Sequence, residues 1–401
     1  MLIFRVILLA AILTSCGCSS DEHDQGNMKL PAVVKTNPMK VYMHYTPWFQ
    51  SKSMSGYWGS HWKMTNKNPD IILENGQRQI ASHYYPLIGP YDSKDPDVIQ
   101  YHLLLMKYAG IDAVFVDWYG SHNVHDYRPN LDGANAFIEH LDEVGLQFAI
   151  VYEEFTAGVV GDVTSKTAME AAQLDMVYMT GNYFNQKSYL KIAEHPALLT
   201  FGPRYFKQGA QWESIFSAIK EKPTFLPLWD HSGYTGSTDN GEYAWVDFTE
   251  DLSVLQNFYN KVLSQQVLIG SAFPRFHDYY EEGGAGESYG YVDADGVNTL
   301  VKTLSKATAR QAKHLQLVTW NDFGEGTVIE PTVEDGFSFL ETIQQFTGVA
   351  YTVTELELIH RWYLKKKEYK GDTNVEEILG EAYHLLVTLQ PEKAADLLDG
   401  L

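Results

Sequence analysis

The sequence predicts an α/β fold, a (β/α)8 barrel with a small C-terminal helical extension. Three observations predict it. At 401 residues and 45% hydrophobic, the chain can bury the core of one barrel plus a short appendage. From residue 40 onward, short apolar runs rich in β-branched and aromatic residues alternate with longer stretches of helical periodicity, the order of strand–helix units around a parallel sheet. The helix-like stretches also stop at glycine, Pro96–Ala109 ahead of Gly110 and Ala134–Val144 ahead of Gly145, where a helix C-terminus favours left-handed backbone.

Eight strands follow from that alternation: Val41–Tyr45, Ala113–Trp118, Phe148–Glu153, Ala197–Phe201, Thr224–Trp229, Tyr243–Phe248, Val267–Phe273 and Leu315–Trp320. They place the barrel at residues 39–345. The extension, residues 346–401, carries helical periodicity over Thr354–Lys367, Val375–Leu389 and Pro391–Leu398. Ahead of the barrel, one basic residue, Arg5, precedes an apolar run from Val6 to Leu13 and then small residues, the layout of an export signal over residues 1–15. That run is too short to span a bilayer. Leu13-Thr14-Ser15-Cys16 resembles a bacterial lipoprotein cleavage site, so Cys16 is the expected lipid-bearing residue and residues 16–38 a tether to the membrane. The expected location is the cell envelope, at the outer membrane or cell surface.

Charge and cysteine usage exclude several functions. Lys and Arg number 30 against 51 Asp and Glu, a formal charge of -21 that repels phosphate backbones and argues against nucleic-acid binding. The two cysteines, Cys16 and Cys18, both lie at the leader boundary, so the body after them has no disulfide, thiol nucleophile or Cys-bound zinc. There is no H-x-x-x-H or H-E-x-x-H spacing and no glycine-rich phosphate loop after a strand. No metal or cofactor is expected, and the chain is expected to act as a monomer.

Barrel enzymes carry their catalytic groups at the C-terminal ends of strands. There the sequence places His44, Tyr45 and Trp48, then Asp117 and Trp118, then Glu153 and Glu154. Later strands end in Trp229 and Asp230, in Arg275, His277 and Asp278, and in Trp320, Asn321, Asp322 and Glu325. Acids interleaved with aromatic rings make a polar cleft with stacking platforms, the composition a sugar site needs. Singly, each has another reading: aromatic residues at strand ends also close a barrel top, and Asp117 or Asp230 could accept backbone hydrogen bonds at a loop start.

Glycoside hydrolysis commonly uses two carboxyl groups, one protonating the leaving oxygen and one acting at the sugar or on water. Thr319-Trp320-Asn321-Asp322-Phe323-Gly324-Glu325-Gly326-Thr327 supplies such a pair three positions apart, with glycines that let the chain turn. A lone D-x-x-E also caps helices, so its neighbours decide. This segment resembles the signature loop of glycoside hydrolase family 99, the endo-α-mannosidases, and that of the related family 71 α-1,3-glucanases. Tyr45-Thr46-Pro47-Trp48-Phe49 with His61-Trp62, Tyr84 through Tyr91 with Asp95-Pro96, and Ala109-Gly110-Ile111 through Trp118-Tyr119 resemble further family 99 motifs. Gly145-Leu146 through Glu154, Ser271 through Tyr280 and Ile329-Glu330-Pro331 continue the series in family order.

The resemblance implies that Glu325 protonates the departing sugar and later activates water. It implies that Asp322 is the partner acid, removing the 2-hydroxyl proton so that the sugar closes to a 1,2-anhydro intermediate with retention. Of the adjacent glutamates, Glu154 is then the expected contact near the 2-hydroxyl. The expected substrate-binding set adds Tyr45, Trp48, His61, Trp62, Tyr85, Asp117, Trp118, Trp229, Asp230, His277, Trp320 and Asn321. Family 99 has Glu where this chain has Asp322, and the Trp-Asn-Asp-Phe-Gly-Glu run is closer to family 71, whose members resemble inverting, water-using catalysts. The expected activity is endo-acting hydrolysis of an α-linked polysaccharide such as α-mannan. An α-1,3-glucanase-like inverting hydrolase and a non-catalytic glycan-binding lipoprotein are the alternatives, and the presence of both acids speaks against the second.

Overall fold

The computed structural model describes residues 30–261 and 267–401. Cys16, Cys18, the leader and most of the tether lie outside the described residues. Eight parallel strands form the centre: β1 (Lys40–Tyr45), β2 (Ala113–Trp118), β3 (Gln147–Tyr152), β4 (His195–Thr200), β5 (Thr224–Pro227), β6 (Gly241–Tyr243), β7 (Val267–Ala272) and β8 (His314–Leu317). The ladder runs β5-β4-β3-β2-β1-β8-β7-β6, so the first strand pairs with the last, Lys40 opposite His314. Between β5 and β6 the link is an isolated parallel bridge, Leu228 to Tyr243, with Trp229 N donating to Tyr243 O at 2.9 Å. The result is an α/β fold with a curled parallel sheet flanked by helices.

Burial on both faces explains the apolar character of these strands. In β2, Ala-Val-Phe-Val-Asp-Trp, all six residues are buried, because side chains on one face fill the interior while those on the other meet helices. Where the sequence predicted longer strands, local chemistry ends them early. β5 stops at Pro227, and two residues beyond Leu228 the chain turns at Asp230, in left-handed backbone at φ +62. The expected strand Tyr243–Phe248 is instead the three residues Gly241–Tyr243. Asp247 accepts from Thr249 N at 2.8 Å and Leu255 N at 2.7 Å, which commits its segment to a loop leading into the helix Ser253–Asn260.

The three expected C-terminal helices are Val353–Glu368, Thr373–Val387 and Pro391–Asp399. They share one hydrophobic core with the curled sheet and its helices through Trp362, Leu379, Leu386 and Leu398. Their seat is the helix Pro96–Tyr108: Tyr101 and Tyr363 lie 4.9 Å apart, Tyr108 Oη donates to Leu386 O at 2.9 Å, and Lys367 pairs with Asp95 and Asp97.

Close backbone approach also positions the mouth of the sheet. The helix Tyr127–Val144 presses against the loop after β1, and a Cβ on Gly133 would lie 2.2 Å from Pro47 O. Only glycine fits there without moving the loop that carries Trp48. Gly133→Ala should therefore lower stability by about 2 kcal/mol or more, read as a lower midpoint in urea at unchanged slope.

Candidate active site

Side chains alternate between the two faces of a strand, and this decides which candidates reach the interior. On β1, His44 turns inward with Nε2 3.6 Å from Asp117 Oδ2, while Tyr45 turns outward and stacks on Phe137 at 3.9 Å. On β2, Asp117 faces in, and Trp118 is buried outside, donating from Nε1 to Tyr183 Oη at 3.2 Å. Trp320 packs edge-on to His102 of the helix Pro96–Tyr108, with ring centroids 5.2 Å apart. Trp62 is wholly buried against Phe49, Tyr91 and Phe323, its Nε1 donating to Tyr91 O at 2.8 Å. Tyr45, Trp62, Trp118 and Trp320 are thus wall residues, a correction to their expected contact with substrate.

Asn321 is likewise structural: Thr46 N donates to its Oδ1 at 2.9 Å, and its Nδ2 donates to Thr46 O and Tyr91 Oη, each at 3.0 Å. Trp229 packs on Phe258, and Asp230, 71% exposed, pairs with Lys261 at 2.8 Å. Tyr85 lines a separate cavity of ≈ 250 Å³ with Arg78, His83 and Tyr279, its Oη accepting from Arg78 N.

The loop after β8 brings Asp322 and Glu325 together. Asp322 N donates to Thr319 Oγ1, and Asp322 Oδ1 accepts from Glu325 N at 2.9 Å, so one carboxylate oxygen organises the turn while the other stays free of it. Gly326 closes the turn at φ +71, where a Cβ would sit 2.5 Å from His277 O. Gly324 needs no such backbone. His277 N donates to Glu325 O at 2.9 Å, and the His277 ring stacks on His83 at 3.6 Å. Glu325 Oε2 is buried without a hydrogen-bond partner.

The two adjacent glutamates divide differently from expectation. Glu154 is fully buried and its carboxylate accepts from the backbone of Arg204, from Tyr205 N at 2.8 Å and from Phe206 N at 3.2 Å, which fixes the loop after β4. Glu153 instead faces the acids: its Oε2 has no partner, and Asp117 and Asp322 both act on its charge. The sequence offered only adjacency. Three backbone amides gathered from a different strand's loop were invisible in it.

Asp117, Glu153, Asp322 and Glu325 therefore share one mouth. Burial is the first cause that lifts all four above the usual carboxylate range, and mutual repulsion adds to it for Asp117, Glu153 and Glu325. Asp322 is pushed up only to about 6, because the Glu325 and Gly324 amides favour its charge. Glu325 rises further, through burial and then the charge of Asp322. Opposing them, Arg204 acts on Asp117, Glu153 and Glu325 from a perch over Phe201, 4.8 Å from its centroid. His44 is held neutral, lowered to about 4 by burial.

Aromatic rings line the rim. Trp48, 8% exposed, stacks on His61 at 4.2 Å and meets Tyr119 edge-on. Trp245 stands edge-on to His44 and Phe201, at 4.8 and 4.7 Å, and Tyr280 lies where Glu325 and Asp322 both act on its phenol. Sequence reasoning missed Arg204, Trp245 and Tyr280. Among the described residues no group of three or more His, Cys, Asp or Glu side chains is placed to hold a metal ion.

The family model for glycosyl hydrolase family 99 matches residues 35–345. The chain belongs to this family and is a glycoside hydrolase. Glycoprotein endo-alpha-1,2-mannosidase of Xenopus laevis is 21% identical over 365 residues, 82% of this chain and 78% of that protein. An endo-alpha-1,2-mannosidase-like protein of Danio rerio is 33% identical over 88 residues, 20% of each chain. Among solved structures, the GH99 endo-alpha-mannosidase from Bacteroides thetaiotaomicron superposes with a TM-score of 0.60 at 17% identity, over 80% of this chain and 98% of that one. At that identity the likeness speaks for the fold.

The two glutamates give opposite expected outcomes. Glu154→Gln loses a charged acceptor for three backbone amides and should cost about 1–3 kcal/mol, seen as a lower Tm. Glu153→Gln resembles the protonated form that burial already favours, so Tm should hold or rise at neutral pH while turnover falls. Sign: a carboxyl whose folded pKa is raised contributes its full stability below its unfolded pKa and loses it as pH rises toward the folded one.

Proposed function

We propose that the chain is an endo-acting hydrolase of α-mannose-containing glycans, with Glu325 as general acid and base and Asp322 as its partner. The observation that carries this is the pair itself. Two carboxyls on one turn are pushed apart in acidity, Asp322 to about 6 and Glu325 well above the usual range, so that at neutral pH the pair presents one base and one acid. The names of the relatives supply the mannose, and the polar, aromatic-rimmed mouth suits a sugar. We take the curled sheet as a closed (β/α)8 barrel whose β5–β6 seam is its narrowest contact.

The family 99 match supports the 2-hydroxyl route. Asp322 takes the 2-hydroxyl proton, the freed oxygen bonds to C1, and the C1–leaving-group bond breaks as Glu325 protonates the departing oxygen. Water then gives a proton to Glu325 and bonds to C1, the 1,2-anhydro ring opens, and the 2-oxygen recovers its proton from Asp322. Two displacements at C1 retain the α configuration. Glu153 and Asp117 hold hydroxyls of the sugar being cleaved. The shorter Asp322, like the family 71 character of its loop, favours water activation, since losing a methylene withdraws the carboxylate by roughly 1 Å and leaves more room for water.

Glu325→Gln should lower turnover of unactivated substrate roughly 10²- to 10⁴-fold. In the unaltered chain, kcat/KM should fall as pH drops through about 6, because Asp322 then gains the proton it must be without, and fall again at high pH as Glu325 loses the proton it must donate. A profile flat through both limbs would remove the pair from the chemistry.

Proton NMR of the first-formed product on an α-mannan should show the α anomer before mutarotation. An initial β signal would replace the anhydro route with a water-activating Asp322, and no cleavage of any α-mannan or α-glucan would leave a binding protein.

A further inference from the structure

Beyond the cleft stands a segment that the chemistry above does not use. Residues 278–290 leave β7 through the short strand Phe276–His277 and return through Tyr291–Val292, which pairs with it antiparallel. The excursion is held on every side. His277 N and Tyr279 N donate to the carbonyls of Glu325 and Gly324, at 2.9 and 2.8 Å, tying its outgoing arm to the catalytic turn. Thr65 Oγ1 donates to Gly283 O, and Asn66 Nδ2 to Glu282 O at 2.7 Å, pinning its far end. Asp278 Oδ2 accepts from Tyr289 N at 2.7 Å and from Ser288 Oγ at 3.1 Å, closing its base.

On this fixed frame Tyr289 is 72% exposed. Its ring meets Tyr280 edge-on, with centroids 5.3 Å apart and planes at 67°. An edge-on neighbour supports the ring and leaves a face open. A large ring left in water on a fixed backbone gains hydrophobic stabilisation only when something covers it, and a fixed backbone lowers the ordering cost of binding. Tyr280 in turn borders Glu325, the proposed proton donor to the leaving oxygen. Tyr279 N donates to Gly324 O, so the loop that carries Tyr289 starts from the turn bearing Glu325.

We propose that Tyr289, propped by Tyr280, is a stacking subsite for a sugar unit of the glycan beyond the two units joined by the scissile bond. A pyranose offers an apolar C–H face of the size of a phenol ring, and tyrosine adds a hydroxyl for its rim. The occupant is a further unit of the same substrate chain, so the inference rests on the proposed hydrolase reading and extends it to substrate length.

The test compares substrates of increasing length. Tyr289→Ala should raise KM for the polymer about fivefold or more, an effect that shrinks as the substrate is shortened, and Tyr289→Trp should restore it. An equal KM change at every length, or none, would overturn the subsite. Retardation of the Glu325→Gln chain in gels cast with the same polysaccharide, with and without Tyr289→Ala, reads binding apart from cleavage. Weaker retardation with the added change supports the subsite, and equal retardation overturns it. Absence of cleavage by the unaltered chain bears on the hydrolase reading alone.

Discussion

Both ends of the Asn321 amide are engaged by the backbone of Thr46, the carbonyl accepting and the amino group donating, so that the loop after the last strand is fastened to the loop after the first. The paired register ends at Leu317 opposite Met43, and beyond it the backbone bond from Trp320 N to His44 O at 2.6 Å leads up to this contact. The side chain extends the join from the strands into the two loops. Asp322 follows directly, and Trp48 lies two residues beyond Thr46 on the other loop. Behind the clip, Tyr91 donates to Glu330 at 2.7 Å, and Glu330 faces His102 at 3.2 Å, so the join is backed by a buried polar set. Leaving the Asn321 amide or the Tyr91 hydroxyl unpaired would cost the desolvation it has already undergone.

The electrostatics of the mouth run against stability. Four carboxyl groups are kept out of water with one guanidinium and a neutral imidazole nearby, and burial alone makes each reluctant to ionise. Such an arrangement is held in place by the rest of the fold, as expected where activity and stability pull in different directions. A negative cleft of this kind also disfavours anionic glycans and admits neutral ones.

Much of this was legible in the sequence, and the limits have physical causes. The strand–helix alternation and the glycine stops located seven of the eight parallel strands, the expected Tyr243–Phe248 meeting the observed Gly241–Tyr243 at one residue only, and the turn carrying Asp322 and Glu325 was readable because both acids and the glycine that closes it are local. Facing was harder. Tyr45, Trp118 and Trp320 sit at the correct ends of their strands but on the side toward the helices, and period-two alternation from Asp117 would have turned Trp118 outward. The family resemblance preferred Glu154 to Glu153, and nothing local shows that amides of residues 204–206 converge on Glu154. Arg204 and Trp245 come from loops whose course depends on tertiary packing, so neither spacing nor composition marks them.

The pairing of β1 with β8 and the seating of the last helices on Pro96–Tyr108 set an order in time as well as in space. A chain made from its N-terminus at roughly 5–20 residues per second exposes one edge of β1 until residue 317 has emerged, and the outer face of the first long helix until residue 387 has followed. Through nearly all of its synthesis the polypeptide therefore carries an open strand edge and an uncovered tyrosine-lined face, the features that recruit chaperones or seed aggregation. Its final shape is a late event, completed only when the two ends meet.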